Sequence, residues 1–165
     1  MTIKRHIKLI NSESDSWQET EMEIPALRVA LASSDGVHVD EHFGSASQLV
    51  IYRVDGSSAQ LISVASFSDM KQDGNENKLT EKFTALEGTH AVFALAVGAS
   101  AVRQLVALGT QPIKLGEKAD VNEVLYYLRE EIRNGQTPWI NKALNPPIKS
   151  SEERLEALLG ESWDE

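Results

Sequence analysis

A chain of 165 residues, 41% of them hydrophobic and none of them Cys, suits about one soluble domain and excludes disulfides, thiolate nucleophiles, Cys-type zinc sites and thiolate ligation of an iron–sulfur cluster. No run reaches the roughly 18 to 20 apolar residues that cross a bilayer, and the start, Met1-Thr-Ile-Lys-Arg-His6, lacks a signal-peptide core, so neither a transmembrane nor a secreted chain is expected. The net charge of −9 is spread along the chain, leaving no basic stripe for counterion release and setting nucleic-acid binding aside.

Residues 1–26 open with Ile3, Ile7, Leu9 and Ile10 and continue through the acidic, aperiodic stretch Asn11 to Glu23, which reads as an N-terminal arm. A core begins at Leu27-Arg-Val-Ala-Leu-Ala32, a strand followed by the turn cluster Ser33-Ser-Asp-Gly36. Leu49 to Val54 and Leu61 to Phe67 are two further strands, and Asp55-Gly56 between them signals a hairpin. Past the polar stretch Asp69 to Asn77 the period becomes helical, with Leu79, Phe83 and Leu86 on one stripe, Asn75 as cap and Gly88 beyond the end. Ala91 to Val97 is apolar on both faces, as a central strand would be. Gly98 turns the chain into a helix over 99–108 that buries Val102, Leu105 and Val106, and Gln111 to Leu115 completes a β-α-β crossover with parallel strands. Asp120-x-x-Glu123 is a capping box opening a helix with the stripe Val121, Val124, Leu125, Leu128 and Ile132, stopped by Gly135.

The order β-β-β-α-β-α-β-α predicts an α/β fold with a mixed sheet, helices on its faces and a ribonuclease H-like arrangement. The core is expected over 27–134, followed by an extension over 135–165 with a helix from Ser150, whose Leu155, Leu158 and Leu159 form one narrow apolar face. Trp139 and Trp163 look like anchors for that extension.

Functional composition is densest in Ser33-Ser-Asp-Gly-Val-His-Val-Asp-Glu-His-Phe-Gly-Ser45. If 37–42 is extended, His38, Asp40 and His42 project to one side at period two, the set of a mononuclear metal enzyme. The competing reading is a solvated acidic loop. A second candidate is Gly98-Ala-Ser-Ala101, a strand-to-helix turn where small residues let an anion approach helix N–H groups and Arg103 adds fixed charge. Close packing of helix on sheet also explains those small residues. Gly98 itself is expected to need a positive φ or a surface without Cβ. Neither GxxxxGK[ST] nor GxGxxG is present, so this is no phosphate loop. Ser33 and Ser34 lack a base and orienter for nucleophilic work. His90 reads as a satisfied histidine beside a strand.

Taken together, Val29-Ala-Leu-Ala-Ser-Ser-Asp-Gly36, Val39-Asp-Glu-His-Phe-Gly-Ser45, Ile51-Tyr52, Gln72-Asp-Gly-Asn-Glu76, Gly98-Ala-Ser-Ala-Val-Arg-Gln-Leu105, Gln111-Pro112 and Trp163-Asp-Glu165 resemble the NifX/NifY/NafY-core/NifB C-terminal domain family of nitrogenase cofactor biosynthesis. The resemblance implies a ribonuclease H-like fold without nuclease activity, and a small cytoplasmic, non-catalytic carrier. Its implied cargo is the iron–molybdenum cofactor or a NifB-derived iron–sulfur precursor cluster, and its implied partners are the NifEN scaffold and NifB. In the family the His of the His-Phe-Gly motif is the favoured cluster ligand, which is His42 here. With the turn at Gly98 included, the expected cofactor-binding set is His42, Ser33, Ser34, Phe43, Gly44, Gly98, Ala99, Ser100 and Arg103. Relatives can carry Cys in the strand before the Gly-Ala-Ser turn, whereas this chain has Ala94, Ala96 and Val97. A regulatory adaptor acting through protein contacts alone is the remaining reading.

Overall fold

The computed structural model describes residues 24–67 and 75–146. The expected N-terminal arm up to Glu23, most of the polar stretch after Phe67, and the helix expected from Ser150 lie outside these residues.

In chain order the elements are β1 (Leu27–Ala32), β2 (His38–Val39), β3 (Gln48–Val54), β4 (Ala59–Ser66), α1 (Asn75–Ala85), β5 (Ala91–Ala94), α2 (Ala99–Ala107), β6 (Gln111–Lys114), β7 (Ala119–Asp120), α3 (Val121–Asn134) and α4 (Pro138–Leu144). Five strands form a mixed sheet in the order β4-β3-β1-β5-β6. The first three are antiparallel neighbours, whereas β1–β5 and β5–β6 run parallel. The expected α/β class with a mixed sheet and helices on its faces is what forms.

The central strand β1 is apolar on both sides because both are covered. Leu27, Val29 and Leu31 face a cluster with Phe93 of β5 and with Val124, Leu125, Leu128 and Ile140 from α3 and α4. Ala30 and Ala32 face a second cluster with Val92, Ala94, Leu49 and Ile51, closed by Phe43, Leu86, Ala101 and Leu105. The stripe expected on α3 is the stripe that packs. Its start is fixed by Asp120, whose side chain accepts from the Asn122 N–H, and its end by Gly135 in the left-handed region at φ 64. Arg129 Nη2 and Arg133 Nε donate to the carbonyls of Ser57 and Gly56 at 2.8 and 2.5 Å, tying α3 to the β3–β4 turn.

That turn is the hairpin expected at Asp55-Gly56. Asp55, 4% exposed, accepts at Oδ1 from the Ser57 and Ser58 N–H groups, each at 2.7 Å, and from the Ser57 hydroxyl at 2.8 Å. Burial pushes its carboxyl up, but these bonds and the Ser58 hydroxyl outweigh it and bring the pKa down to about 2.

Four readings need correction. The expected strand over Ala91 to Val97 stops at Ala94, because the Leu95 N–H turns away to the Glu41 carbonyl at 3.0 Å. Val106, expected in the core, is 60% exposed: α2 lies against β6 at the sheet edge and buries only Ala101 and Leu105. Asn75 belongs to α1 itself rather than capping it. The expected order also lacks β2 and β7, which pair as a separate two-stranded sheet through His38↔Asp120 and Val39↔Ala119, and α4, whose Ile140 is fully buried in the first cluster.

Candidate functional site

Parallel strands β1 and β5 have their carboxyl ends at the same end of the sheet, and the segments leaving them, 33–47 and 95–98, meet there. This is the position at which open α/β sheets commonly bind ligands. Two main-chain bonds join the segments: the Phe43 N–H donates to the Ala96 carbonyl at 2.9 Å, and the Leu95 N–H to the Glu41 carbonyl.

The first segment is braced by its own polar side chains. Asp35 Oδ1 accepts from the N–H groups of Val37 and His38, each at 2.8 Å, and its Oδ2 lies 2.7 Å from His38 Nδ1. The hydrogen bond with the His38 side chain, followed by those from the two main-chain N–H groups, holds the Asp35 carboxyl well below the usual range. Ser33 is fully buried and its hydroxyl serves the turn, donating to Asp35 and accepting from the Gly36 N–H at 2.8 Å, where φ is +75°. Asp40 accepts from both the N–H and the hydroxyl of Ser34, at 2.8 and 2.5 Å. Glu41 accepts from the N–H and hydroxyl of Ser47, at 2.8 and 3.1 Å.

These bonds dispose of the three-residue metal reading. Period-two projection needs extended chain through His42, but β2 covers only His38–Val39. His38 turns to Asp35 and Asp40 to Ser34. Among the described residues no three His, Asp or Glu side chains converge as a metal ion requires.

His42 itself is exposed, between neighbours that are fixed. Phe43 is fully buried and meets Phe83 of α1 with ring centroids 5.9 Å apart. The Gly44 carbonyl accepts from Lys82 Nζ at 2.7 Å, and that ammonium also lies 5.4 Å from the Phe67 ring centroid. An imidazole is thus presented to solvent from a chain segment anchored on both sides.

The second segment carries Gly98 at the N-cap of α2 with φ −65° and ψ 153°. The expectation of a positive φ is therefore not met, and a Cβ on Gly98 would meet no atom within 4 Å, so close packing does not require glycine either. What Gly98 leaves is open space before the first turn of α2, whose N–H groups at 99–101 have no intrahelical acceptor. Gly98, Ala99, Ser100 and Arg103 are all exposed, and the Ser100 hydroxyl accepts from Gln104 Nε2 at 3.2 Å. The platform is open rather than enclosed. A cavity of about 470 Å³ lined by Phe93, Ile113, Val124, Tyr127 and Trp139 lies on the opposite, α3–α4 face and shares no residue with it.

His90 is a satisfied histidine. The Arg28 N–H donates to its Nδ1 at 2.9 Å, and burial, together with the Arg28 charge, lowers its pKa. Two features of the site were missed from sequence: the carboxylate braces Asp35–His38 and Glu41–Ser47, and Lys82, 2% exposed. The helical period did place Lys82 on the stripe of Leu79, Phe83 and Leu86, but its residue type argued for solvent.

The family described as "Dinitrogenase iron-molybdenum cofactor" matches residues 25–131, which takes in both segments of the site. The chain is 42% identical to the protein NifX of Azotobacter vinelandii over 161 residues, covering 98% of this chain and 97% of that one. It is 35% identical to NifX of Rhodobacter capsulatus over 72% of this chain and 77% of that one. The crystal structure of PH0822 superposes with a TM-score of 0.50 at 20% identity, over 63% of this chain and 91% of that one, which is a likeness of fold.

Proposed function

Because the chain belongs to the dinitrogenase iron-molybdenum cofactor family, we propose that it is a non-catalytic carrier that holds the iron–molybdenum cofactor, or an iron–sulfur precursor of it, during nitrogenase cofactor assembly, with His42 as the protein ligand. One observation carries this reading: among the described residues, His42 is the imidazole exposed on a segment pinned at both sides, and its neighbours are bonded to residues 95–96, which lead into the unobstructed start of α2.

An anionic cluster needs a donor to metal and donors to its outer atoms. The His42 imidazole supplies the first. The N–H groups at the start of α2 and the Arg103 guanidinium supply the second. With no Cys in the chain, ligation is weaker than that of a four-thiolate site, which suits a cargo that must be released. The net charge of −9 repels an anion at long range, but at physiological salt it is screened over about 8 Å, leaving the local donors in control. Ser34, Gly44, Gly98, Ala99 and Ser100 form the exposed floor in this reading. Ser33 and Phe43 act from beneath it. NifB as donor and the NifEN scaffold as acceptor are the partners, in the cytoplasm. The sheet order β4-β3-β1-β5-β6 supports the ribonuclease H-like assignment.

The test is a pair of substitutions four residues apart. Anaerobic mixing with extracted cofactor, followed by gel filtration and paramagnetic spectra, should show retention weakened at least about tenfold by His42→Ala, or about 1.4 kcal/mol. His38→Ala should retain cargo as the parent does, because His38 serves Asp35. Circular dichroism must show both variants folded. Full retention by His42→Ala overturns the ligand assignment.

A further inference from the structure

Lys82 sits on the inner stripe of α1 and is only 2% exposed. Lysine is seldom buried so completely, because removing an ammonium from water is costly unless polar partners replace the lost hydration. An apolar side chain would fill the same stripe between Leu79 and Leu86 without that cost. The ammonium therefore has work that packing does not explain, and two of its contacts bear on the loop. Nζ donates to the Gly44 carbonyl at 2.7 Å and lies over the Phe67 ring at 5.4 Å from its centroid.

Gly44 is the weak point of the loop. It is exposed, and a Cβ there would meet nothing within 4 Å, so no side-chain packing holds the main chain at that residue. Upstream, Glu41 and Phe43 are bonded to 95–96. Phe43 is gripped by Phe83, the residue after Lys82. Two consecutive side chains of α1 thus seize two consecutive residues of the loop, one by its ring and one by its carbonyl.

We infer that Lys82 is the positioning residue of the His42 loop: its buried ammonium fixes the Gly44 carbonyl and so sets the main-chain frame from which His42 is presented. The consequence for cargo rests on the ligand role proposed for His42, while the positioning itself does not. A ligand held in one orientation before binding forfeits less conformational entropy when it binds, and partners that orient a metal ligand are commonly worth about tenfold to a hundredfold in affinity.

The absence of Cys allows a test that changes little but the ammonium. A Lys82→Cys chain, alkylated while unfolded and then refolded, carries either an aminoethyl group, which restores an ammonium at lysine's reach, or an ethyl group, which is neutral. In the cargo-free chain, the ethyl form should shift the amide resonances of Phe43, Gly44 and Ser45 and the His42 imidazole signals. Val29, Leu31 and Val92 should stay in place, and the aminoethyl form should match the parent throughout. Uptake of extracted cofactor should fall about tenfold or more in the ethyl form and recover in the aminoethyl form. If the ethyl form does not refold, Lys82→Met produced in cells replaces it with the same readouts. Unmoved loop resonances, or shifts spread evenly over the sheet, overturn the inference. If His42→Ala keeps its cargo, the ligand role fails and the resonances alone decide Lys82.

Discussion

Replacing Phe43 with Ala takes away a ring that is fully buried in the cluster beneath the candidate site. Truncations of this kind cost about 3 to 5 kcal/mol, the transfer free energy of the ring plus the cavity it leaves. The surroundings favour the upper half of that range, because Ala30, Ala32 and Ala94 line the cluster with side chains too small to collapse into the gap. For a domain of this size about 4 kcal/mol corresponds to a fall in Tm of roughly 15 °C. Urea unfolding followed by circular dichroism measures the first quantity and a thermal scan the second. A double-mutant cycle with Phe83→Ala sharpens the test: a tilted ring pair at 5.9 Å should give a coupling of about 0.5 to 1.5 kcal/mol. Phe43→Leu should recover most of the stability, since it keeps apolar volume in the same place. A loss below about 1.5 kcal/mol for Phe43→Ala, or additivity of the two Ala variants, would refute the claim that the loop is anchored from below through this ring.

Asp55 governs part of the acid limb. Its folded pKa of about 2 lies below the ordinary 3.8, so its contribution, on the order of 2 kcal/mol, is present above pH 3.8 and is lost as the pH falls from there to about 2. Urea midpoints measured from pH 5 to pH 2 should fall more steeply for the parent than for Asp55→Asn, and parallel curves would contradict the account. Gly98→Val should change stability by less than about 1 kcal/mol, because the residue has extended dihedrals and open space around its missing Cβ. Cofactor uptake should nevertheless drop as the side chain blocks the start of α2, and equal losses of uptake and Tm would point to a structural role instead.

The parts of the fold that were legible in the sequence are those whose signal is local. The β1 boundaries, the Asp55-Gly56 hairpin, the Asp120 cap and the Gly135 stop each follow from residues within a few positions of one another. The two-residue strands β2 and β7 are too short for any period, and they exist because His38 and Asp120, 82 positions apart, are brought together by the rest of the fold. Ala91 to Val97 is uniformly apolar, and nothing in it announces that Leu95 will bond to Glu41 rather than to a neighbouring strand. Val106 repeats at helical spacing, yet a helix at the sheet edge has a narrower footprint than its apolar stripe. At the site, the composition of 33–45 and the small residues at 98–101 marked the two segments. Their union by the bonds between 41–43 and 95–96 did not show, and neither did the pairing of His38 with Asp35 that separates it from His42. Lys82 shows the limit of residue type as a guide: period and type disagreed, and the period was right.

The sheet is a seam between two halves made at different times. Strands β1, β3 and β4 are complete once Ser66 has been synthesised, and their antiparallel pairing needs nothing further downstream. The parallel half cannot begin until β5 emerges and takes the free side of β1, where Val29 pairs with Ala91. His42 belongs to the early half, whereas its main-chain neighbours are held by Ala96 and Leu95 of the late one. A chain interrupted after Ser66 would own the imidazole but not its seat. The platform therefore cannot form until β5 and the start of α2 have followed the antiparallel half out, and His42 gains its seat only when the two halves close on each other.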